Sequence, residues 1–225
     1  MARSPGAGSR YESRREVIID RAAALFAEKG YAATGVTELG EAVGLGRGAL
    51  YYYIESKENL LVTIQDRVLS PLLAQSTTIV EMTARPIVRL ALLSEALLTI
   101  IVTRVDHIRV YEHDYVHLTG DNRDRLLDQR RQFEALVQGL FDEAIADGTL
   151  RDMNPHLAAL QFLNLHNHTY QWARTSSRRW SVHELSREYC RTLFHGMAQH
   201  AQGRLEEFEH ETERARILLL RVQPN

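Results

Sequence analysis

The sequence predicts an all-α protein, with an N-terminal three-helix head and a larger helical domain behind it. Three observations lead there. Apolar residues recur at three- and four-residue spacing over most of the 225 residues. No stretch shows the two-residue alternation of a half-buried strand. Helix-closing and helix-opening residues fall between the periodic runs, as at Asp147-Gly148 and Asn154-Pro155.

The elements follow in order. Residues 1–12, MARSPGAGSRYE, read as a flexible tail; Arg3 and Arg10, with Arg14 and Arg15 just beyond, face a single acid, Glu12. Ser13 to Glu28 forms the first helix, with Val17, Ile18, Ala22, Leu25 and Phe26 on one face. Thr34 caps a short second helix in which Val36, Leu39, Ala42 and Val43 recur. Gly44 follows, where the chain needs a residue at ease in the left-handed conformation. Leu45 packs between this helix and the next, which Gly46-Arg47-Gly48 opens and Leu50 and Ile54 bury. Tyr51, Tyr52 and Tyr53 cannot all join that buried face, because neighbours lie about 100° apart around a helix. At least one phenol therefore points outward. Ser56 caps a fourth helix running to about Leu69, where Ser70-Pro71 disrupts it and sets the domain boundary. Beyond it, helical patterns occupy 86–104, 105–118, 122–147, 155–174, 181–201 and 204–221. The clearest is 122–147, with Leu126, Phe133, Leu136, Val137, Leu140, Phe141, Ala144 and Ile145 on one side.

Two short helices joined by a glycine turn and followed by a capped third make the layout of a helix-turn-helix, whose second helix enters the DNA major groove. Arg47 can pair bidentately with guanine. The glycines beside it let the backbone come close. An outward tyrosine can stack or meet a phosphate, and Lys57 stands at a helix N-terminus, a position suited to anions. The bland counterpart is a plain helical hairpin with exposed tyrosines. The formal net charge is only −2, so affinity for DNA must come from local charge. The basic tail supplies some, either by following the minor groove or as a solvated arm.

From Arg14 to Leu61 the chain resembles the DNA-binding domain of the tetracycline-repressor (TetR) family of bacterial regulators. The matching stretches are AAALFAEKGYAAT (22–34), VTELGEAVGLGRGALYYYI (36–54) and SKENLL (56–61). The resemblance implies that Thr37, Arg47, Gly48, Ala49, Tyr51, Tyr53 and Lys57 meet bases or phosphates, with Tyr52 beside them. Arg47 is the base reader; Tyr51, Tyr53 and Lys57 set position and affinity. Gly46 stands where the family usually has Ser or Thr, Ala49 replaces Thr, Tyr53 replaces His and Ile54 replaces Phe. The assignment is a tail at 1–12, a DNA-binding domain at 13–70, and an effector-binding and dimerisation domain at 71–225. The family implies a homodimer on a palindromic operator, its last two core helices, here 155–174 and 181–201, pairing across the two-fold.

Hydrophobic residues make up 44% and charged residues 25%, enough to bury a sizeable core. The single cysteine, Cys190, allows no intrachain disulfide and fits a reducing interior. No apolar core follows the basic start, which speaks against a secretory signal. The apolar stretch Ile87 to Val105 is interrupted by Arg89, Ser94, Glu95 and Arg104 and reads as a buried helix. A cytoplasmic protein with no membrane partner is expected.

A regulator of this type needs a site for an effector. Tyr111, His113, Tyr115 and His117 form one polar-aromatic cluster; Asn164, His168 and Trp172 recur every four residues along another face. Polar groups among apolar helices often mark pockets, although Asn164 and His168 also suit a dimer interface and the first cluster an ordinary core and surface. Segment 110–151 is similar to TetR-family regulators of fatty-acid and steroid breakdown, whose effectors are acyl-coenzyme A thioesters. Arg123, Arg125, Arg130 and Arg131 then serve the phosphates and Phe133 the apolar part. Because Asp121, Asp124 and Asp128 are interleaved with them, a salt-bridged surface explains the arginines equally well. Aromatic or drug-like effectors of an efflux regulator form the alternative. A different class, a helical di-metal carboxylate enzyme, would use Asp114-x-x-His117 and Glu207-x-x-His210, and His113 with His117 has metal-ligand spacing. Nothing in the sequence calls for a cofactor: no nucleophile motif, phosphate-binding glycine loop or cysteine zinc site is present.

Overall fold

The computed structural model describes residues 7–173, 180–197 and 204–222. Its helices are α1 (Ala7–Lys29), α2 (Val36–Val43), α3 (Arg47–Ile54), α4 (Lys57–Val80), α5 (Pro86–Thr103), α6 (Val105–His113), α7 (Gly120–Ala146), α8 (Pro155–Asn167), α9 (Thr169–Trp172), α10 (Val182–Met197) and α11 (Arg204–Val222). A single 3₁₀ turn, Asp114–His117, follows α6. No strand occurs among the described residues.

The chain divides into two compact units, Met1–Ser70 with Arg104–Leu127, and Pro71–Thr103 with Asp128–Asn225. In the first, Ile18, Ile19, Ala22, Ala23 and Phe26 of α1 form the core with Leu39, Leu50, Ile54, Leu60, Leu61 and Ile64. α1 packs against α2, α3 and α6. The second unit is built on α5, whose residues from Ile87 to Ile101 are almost all buried against α8, α9, α10 and α11. α5 is long and apolar enough to cross a membrane, yet most of it is enclosed by these neighbours.

Several local expectations shift. α1 begins at Ala7, so half of the residues read as a tail are helical; Arg3 and the rest of 1–6 lie outside the described residues. Val17, expected on the apolar face of α1, is exposed, as is Ala42 of α2. The cap of α2 is Gly35, because the Thr34 hydroxyl donates back to the Gly30 carbonyl at 2.9 Å and is buried there. α4 continues through Pro71 to Val80. Proline removes one helical N–H donor, and buried Val68, Leu69 and Leu72 on both sides of it supply the packing that keeps the helix going. The pattern at 155–174 breaks at His168 into α8 and α9, and residues 174 and 198–201, expected to be helical, lie outside the described residues. Asn154 caps α8 by accepting from Leu157 N at 3.0 Å, with Pro155 at the first helical position.

Candidate nucleic-acid interface

The turn between α2 and α3 is fixed by two glycines. Gly44 closes α2 at φ 67°, ψ 36°, and the next amide, Leu45 N, reaches the Gly40 carbonyl at 2.8 Å. Gly40 was not foreseen, and its signal was a glycine inside an otherwise good helix. A Cβ there would lie 2.6 Å from the Leu45 carbonyl oxygen, so only glycine lets α2 and the turn pack this tightly.

α3 starts at Gly46, which offers no side-chain cap. Leu50 and Ile54 are buried, and this orientation leaves Arg47, Gly48 and Ala49 exposed on the first turn, with Thr37 exposed near the start of α2. The Arg47 guanidinium lies 5.7 Å from the Tyr51 ring centre, one turn on. Tyr52 is the outward phenol, 71% exposed, while Tyr51 and Tyr53 are half-buried. Tyr11 braces this face: its ring stacks on Tyr53 at 5.1 Å and meets Tyr52 edge-on at 5.4 Å.

Arg14 and Arg15 tie α1 to the motif. Arg14 Nη2 donates to the Val43 carbonyl at 2.6 Å and Arg15 Nε to the Tyr53 carbonyl at 3.3 Å. Both cations thus sit at the negative ends of the two helices of the motif. α3 ends at Glu55, which adopts φ 61°, ψ −58°, with Ser56 N donating to Ile54 O at 2.6 Å. That γ-turn is strained for a residue other than glycine. Ser56 then caps α4, accepting from Asn59 N at 2.9 Å.

Lys57 turns back toward Tyr31. Its ammonium donates to the Tyr31 carbonyl at 2.5 Å and lies 4.1 Å from that ring's centre. Burial lowers its pKa, against the pull of the Asp114 carboxylate. Buried Asp114 accepts from the Tyr31 amide at 3.2 Å, and the His117 ring stacks on Tyr31 at 5.2 Å. Burial, with Glu58 and Asp114 nearby, raises the Tyr31 pKa.

The residues expected to line an effector site fall in both units. Tyr111, Tyr115 and His117 lie in the first unit, Tyr111 and Tyr115 half-buried and His117 exposed. In the second unit, Phe133 is buried, Arg130 and Trp172 are half-buried, and Asn164 and His168 are exposed on α8 and just after it. Arg125 pairs with Asp66 at 3.0 Å and Arg131 with Asp128. His117 Nε2 lies 4.0 Å from Asp114, and no cluster of three or more metal-ligating side chains occurs among the described residues.

The histidine enclosed in the second unit is one the pattern missed, His166. Its Nδ1–H donates to Phe162 O and its Nε2 accepts from the Ser94 hydroxyl, both at 2.6 Å. Burial pushes its pKa down to about 4, which keeps it neutral. Ser94 and His166 have no exposed surface. A cavity of about 150 Å³ does open in this unit between α5, α10 and α11. None of the residues expected at an effector site lines it.

Known proteins bear on both halves. Residues 18–64 match the family model of bacterial regulatory proteins, tetR family, and residues 83–197 match the tetracyclin repressor-like C-terminal domain. The HTH-type transcriptional repressor KstR2 of Rhodococcus jostii (strain RHA1) is 28% identical over 82% of this chain and 91% of its own length. Among solved structures, the ketosteroid transcriptional regulator KstR2 of Mycobacterium tuberculosis aligns with a TM-score of 0.78 at 24% identity, over 83% of this chain and 96% of that one. AibR, solved in complex with isovaleryl coenzyme A and operator DNA, aligns with a TM-score of 0.69 at 23% identity, over 83% and 98%.

Proposed function

The chain belongs to the tetracycline-repressor family, a transcriptional regulator with a helix-turn-helix head, and from that premise we propose that it is a homodimeric cytoplasmic repressor released from a palindromic operator by an acyl-coenzyme A thioester. The single observation that carries the DNA-binding part is the orientation of α3. Burying Leu50 and Ile54 turns Arg47, Gly48 and Ala49 outward together, so one first turn offers a base-reading guanidinium and close backbone approach. Tyr51, Tyr52, Tyr53, Thr37 and Lys57 surround it as phosphate contacts. Residues 13–70 read DNA, and residues 71–225 bind the effector and dimerise.

The exposed face of α8 supports dimerisation. Leu157 is 55% exposed, and Gln161 and Asn164, then His168 just beyond the helix, follow it on successive turns. Two copies joined there would present two heads to half-sites about 34–36 Å apart, or a multiple of that. The acyl-coenzyme A reading is supported by the KstR2 relative, a ketosteroid regulator by its description, and by AibR, which binds isovaleryl coenzyme A. Coupling is reciprocal: a thioester that releases the operator is itself bound more weakly by the DNA-loaded protein.

The test is an operator-release screen on the full-length dimer, comparing acyl-coenzyme A thioesters with their free acids and with planar aromatics. Release by thioesters alone is expected. Release by aromatics with none by thioesters would replace the effector reading with that of a drug-responsive regulator.

A further inference from the structure

Only two of the chain's 27 cationic side chains are lysines, Lys29 and Lys57; every other one is an arginine. A guanidinium stays protonated in proteins, so these two are the only side chains that can offer a neutral amine to an electrophile. They stand in opposite surroundings. Lys29, exposed at the end of α1, pairs with Glu38 of α2, and that hydrogen bond and charge raise its pKa. The Lys57 ammonium has no carboxylate within ion-pair distance among the described residues. It lies 4.1 Å from the Tyr31 ring centre and 5.9 Å from that of Phe26, and donates to the Tyr31 carbonyl at 2.5 Å.

Packing against the two rings takes water from the ammonium without putting a carboxylate in its place, and the Lys57 pKa falls although Asp114 pulls it the other way. The hydrogen bond that positions the side chain survives loss of a proton. A neutral amine keeps two N–H groups, one of which still serves the Tyr31 carbonyl, and a lone pair replaces the third. The side chain is half-buried, so part of its surface stays open to solvent. An amine held in place, short of water and reachable is an activated nucleophile.

We infer that Lys57 is a covalent modification site, the chain's preferred acceptor for an acyl group carried as a thioester or an acyl phosphate, and that acylation there weakens DNA binding. The Nζ lone pair attacks the acyl carbonyl carbon. A C–N bond forms as the C–S or C–O bond breaks, and the Nζ proton leaves with the thiolate or the phosphate. The amide product keeps a single N–H, enough for the Tyr31 carbonyl, but carries no charge. One phosphate contact of the helix-turn-helix head is then lost whatever the base sequence. That consequence rests on the reading of Lys57 as a phosphate contact; the reactivity does not. Acyl thioesters proposed as effectors are donors of this kind, but reversible binding leaves Lys57 unmodified, and the mass at Lys57 separates the two.

The full-length protein is incubated under mildly alkaline conditions with acetyl phosphate in one arm and acetyl-coenzyme A in the other, and peptide mass mapping follows Lys29 and Lys57 over time. Acetylation of Lys57 about tenfold faster than of Lys29 is expected, and the arm that gives it identifies the donor. Rates at Lys57 no faster than at Lys29 in both arms overturn the site. Affinity for cognate and scrambled DNA should fall together, in step with Lys57 acetylation, and the salt slope should shrink by about one contact. Lys57→Arg keeps a charge without an acylable amine, so treatment should leave that variant's own affinity unaltered. Lys29→Arg should lose affinity on treatment as the unsubstituted chain does. An equally steep loss in treated Lys57→Arg, or unchanged affinity with Lys57 fully acetylated, overturns the switch. In the second case Lys57→Ala separates the causes, since unchanged affinity there removes the phosphate contact itself. The mapping uses the native chain and stands even where a variant folds poorly.

Discussion

The Lys57 ammonium is held on Tyr31 twice, through a hydrogen bond to its carbonyl and at 4.1 Å over its ring. An ammonium has three donors, and the Tyr31 carbonyl takes one. Lys57 can keep this anchor and still meet a phosphate, with its long side chain already ordered for the task. Asp114 and His117 grip the same tyrosine, so Lys57 and the end of α6 share one residue.

Lys57→Ala should therefore weaken binding to cognate and scrambled DNA about equally and reduce the salt slope by about one phosphate's worth. Fluorescence anisotropy at several salt concentrations measures both. A loss confined to the cognate operator would assign Lys57 to base reading instead.

Arg47→Ala should cost about 1–3 kcal/mol on the cognate operator and much less on scrambled DNA. Its exposure should leave the fold intact. Equal losses on the two sequences would remove Arg47 as the base reader.

Two glycines six residues apart should respond in opposite ways. Gly46→Ser places a capping hydroxyl on a position with extended backbone and open space for a Cβ, and should add about 0.3 kcal/mol of stability. Gly40→Ala drives a Cβ into the Leu45 carbonyl and should cost about 2 kcal/mol, loosening the α2–α3 turn and operator binding with it. Urea melts of both variants check the signs.

Acid should destabilise the protein through two enclosed histidines. Burial pushes both His107 and His166 down to about 4 from the ordinary 6.5. Above the ordinary value both states are neutral there and neither site matters. As pH falls from 6.5 toward 4 the unfolded chain takes up protons the folded one refuses, so stability drops by up to about 1.4 kcal/mol per site per pH unit. Below about 4 the loss levels off. His166→Gln should lower stability at pH 7 but flatten the decline between pH 6.5 and 4; an unchanged slope would remove His166 as a source.

What was legible in the sequence was what neighbours along the chain decide. Gly44, Ser56 and Asn154 act on backbone groups within three residues, and Leu50 and Ile54 follow from helical spacing alone. Thr34 shows the limit of that locality, because its hydroxyl had two backbone choices and took Gly30. Pro71 reads as a stop in the sequence, since packing on both sides of it is what keeps α4 going. Arg14 and Arg15 read as charge in the sequence, although their partners are carbonyls 29 and 38 residues away. Glu95 stands in the sequence as a break in an apolar run, but Arg216, which pairs with it, lies 121 residues further on. His166 escaped notice because the pattern selected its neighbours Asn164 and His168, which point outward.

Tyr11 gives the N-terminal residues a mechanical value that their charge conceals. A chain shortened to begin at Ser13 would lose Arg3 and Arg10, but also the ring stacked on Tyr53 and set edge-on to Tyr52. Weaker operator binding by such a truncation would then have two causes. Tyr11→Ala in the full chain isolates one of them, and deserves to be made before any electrostatic role is credited to the tail.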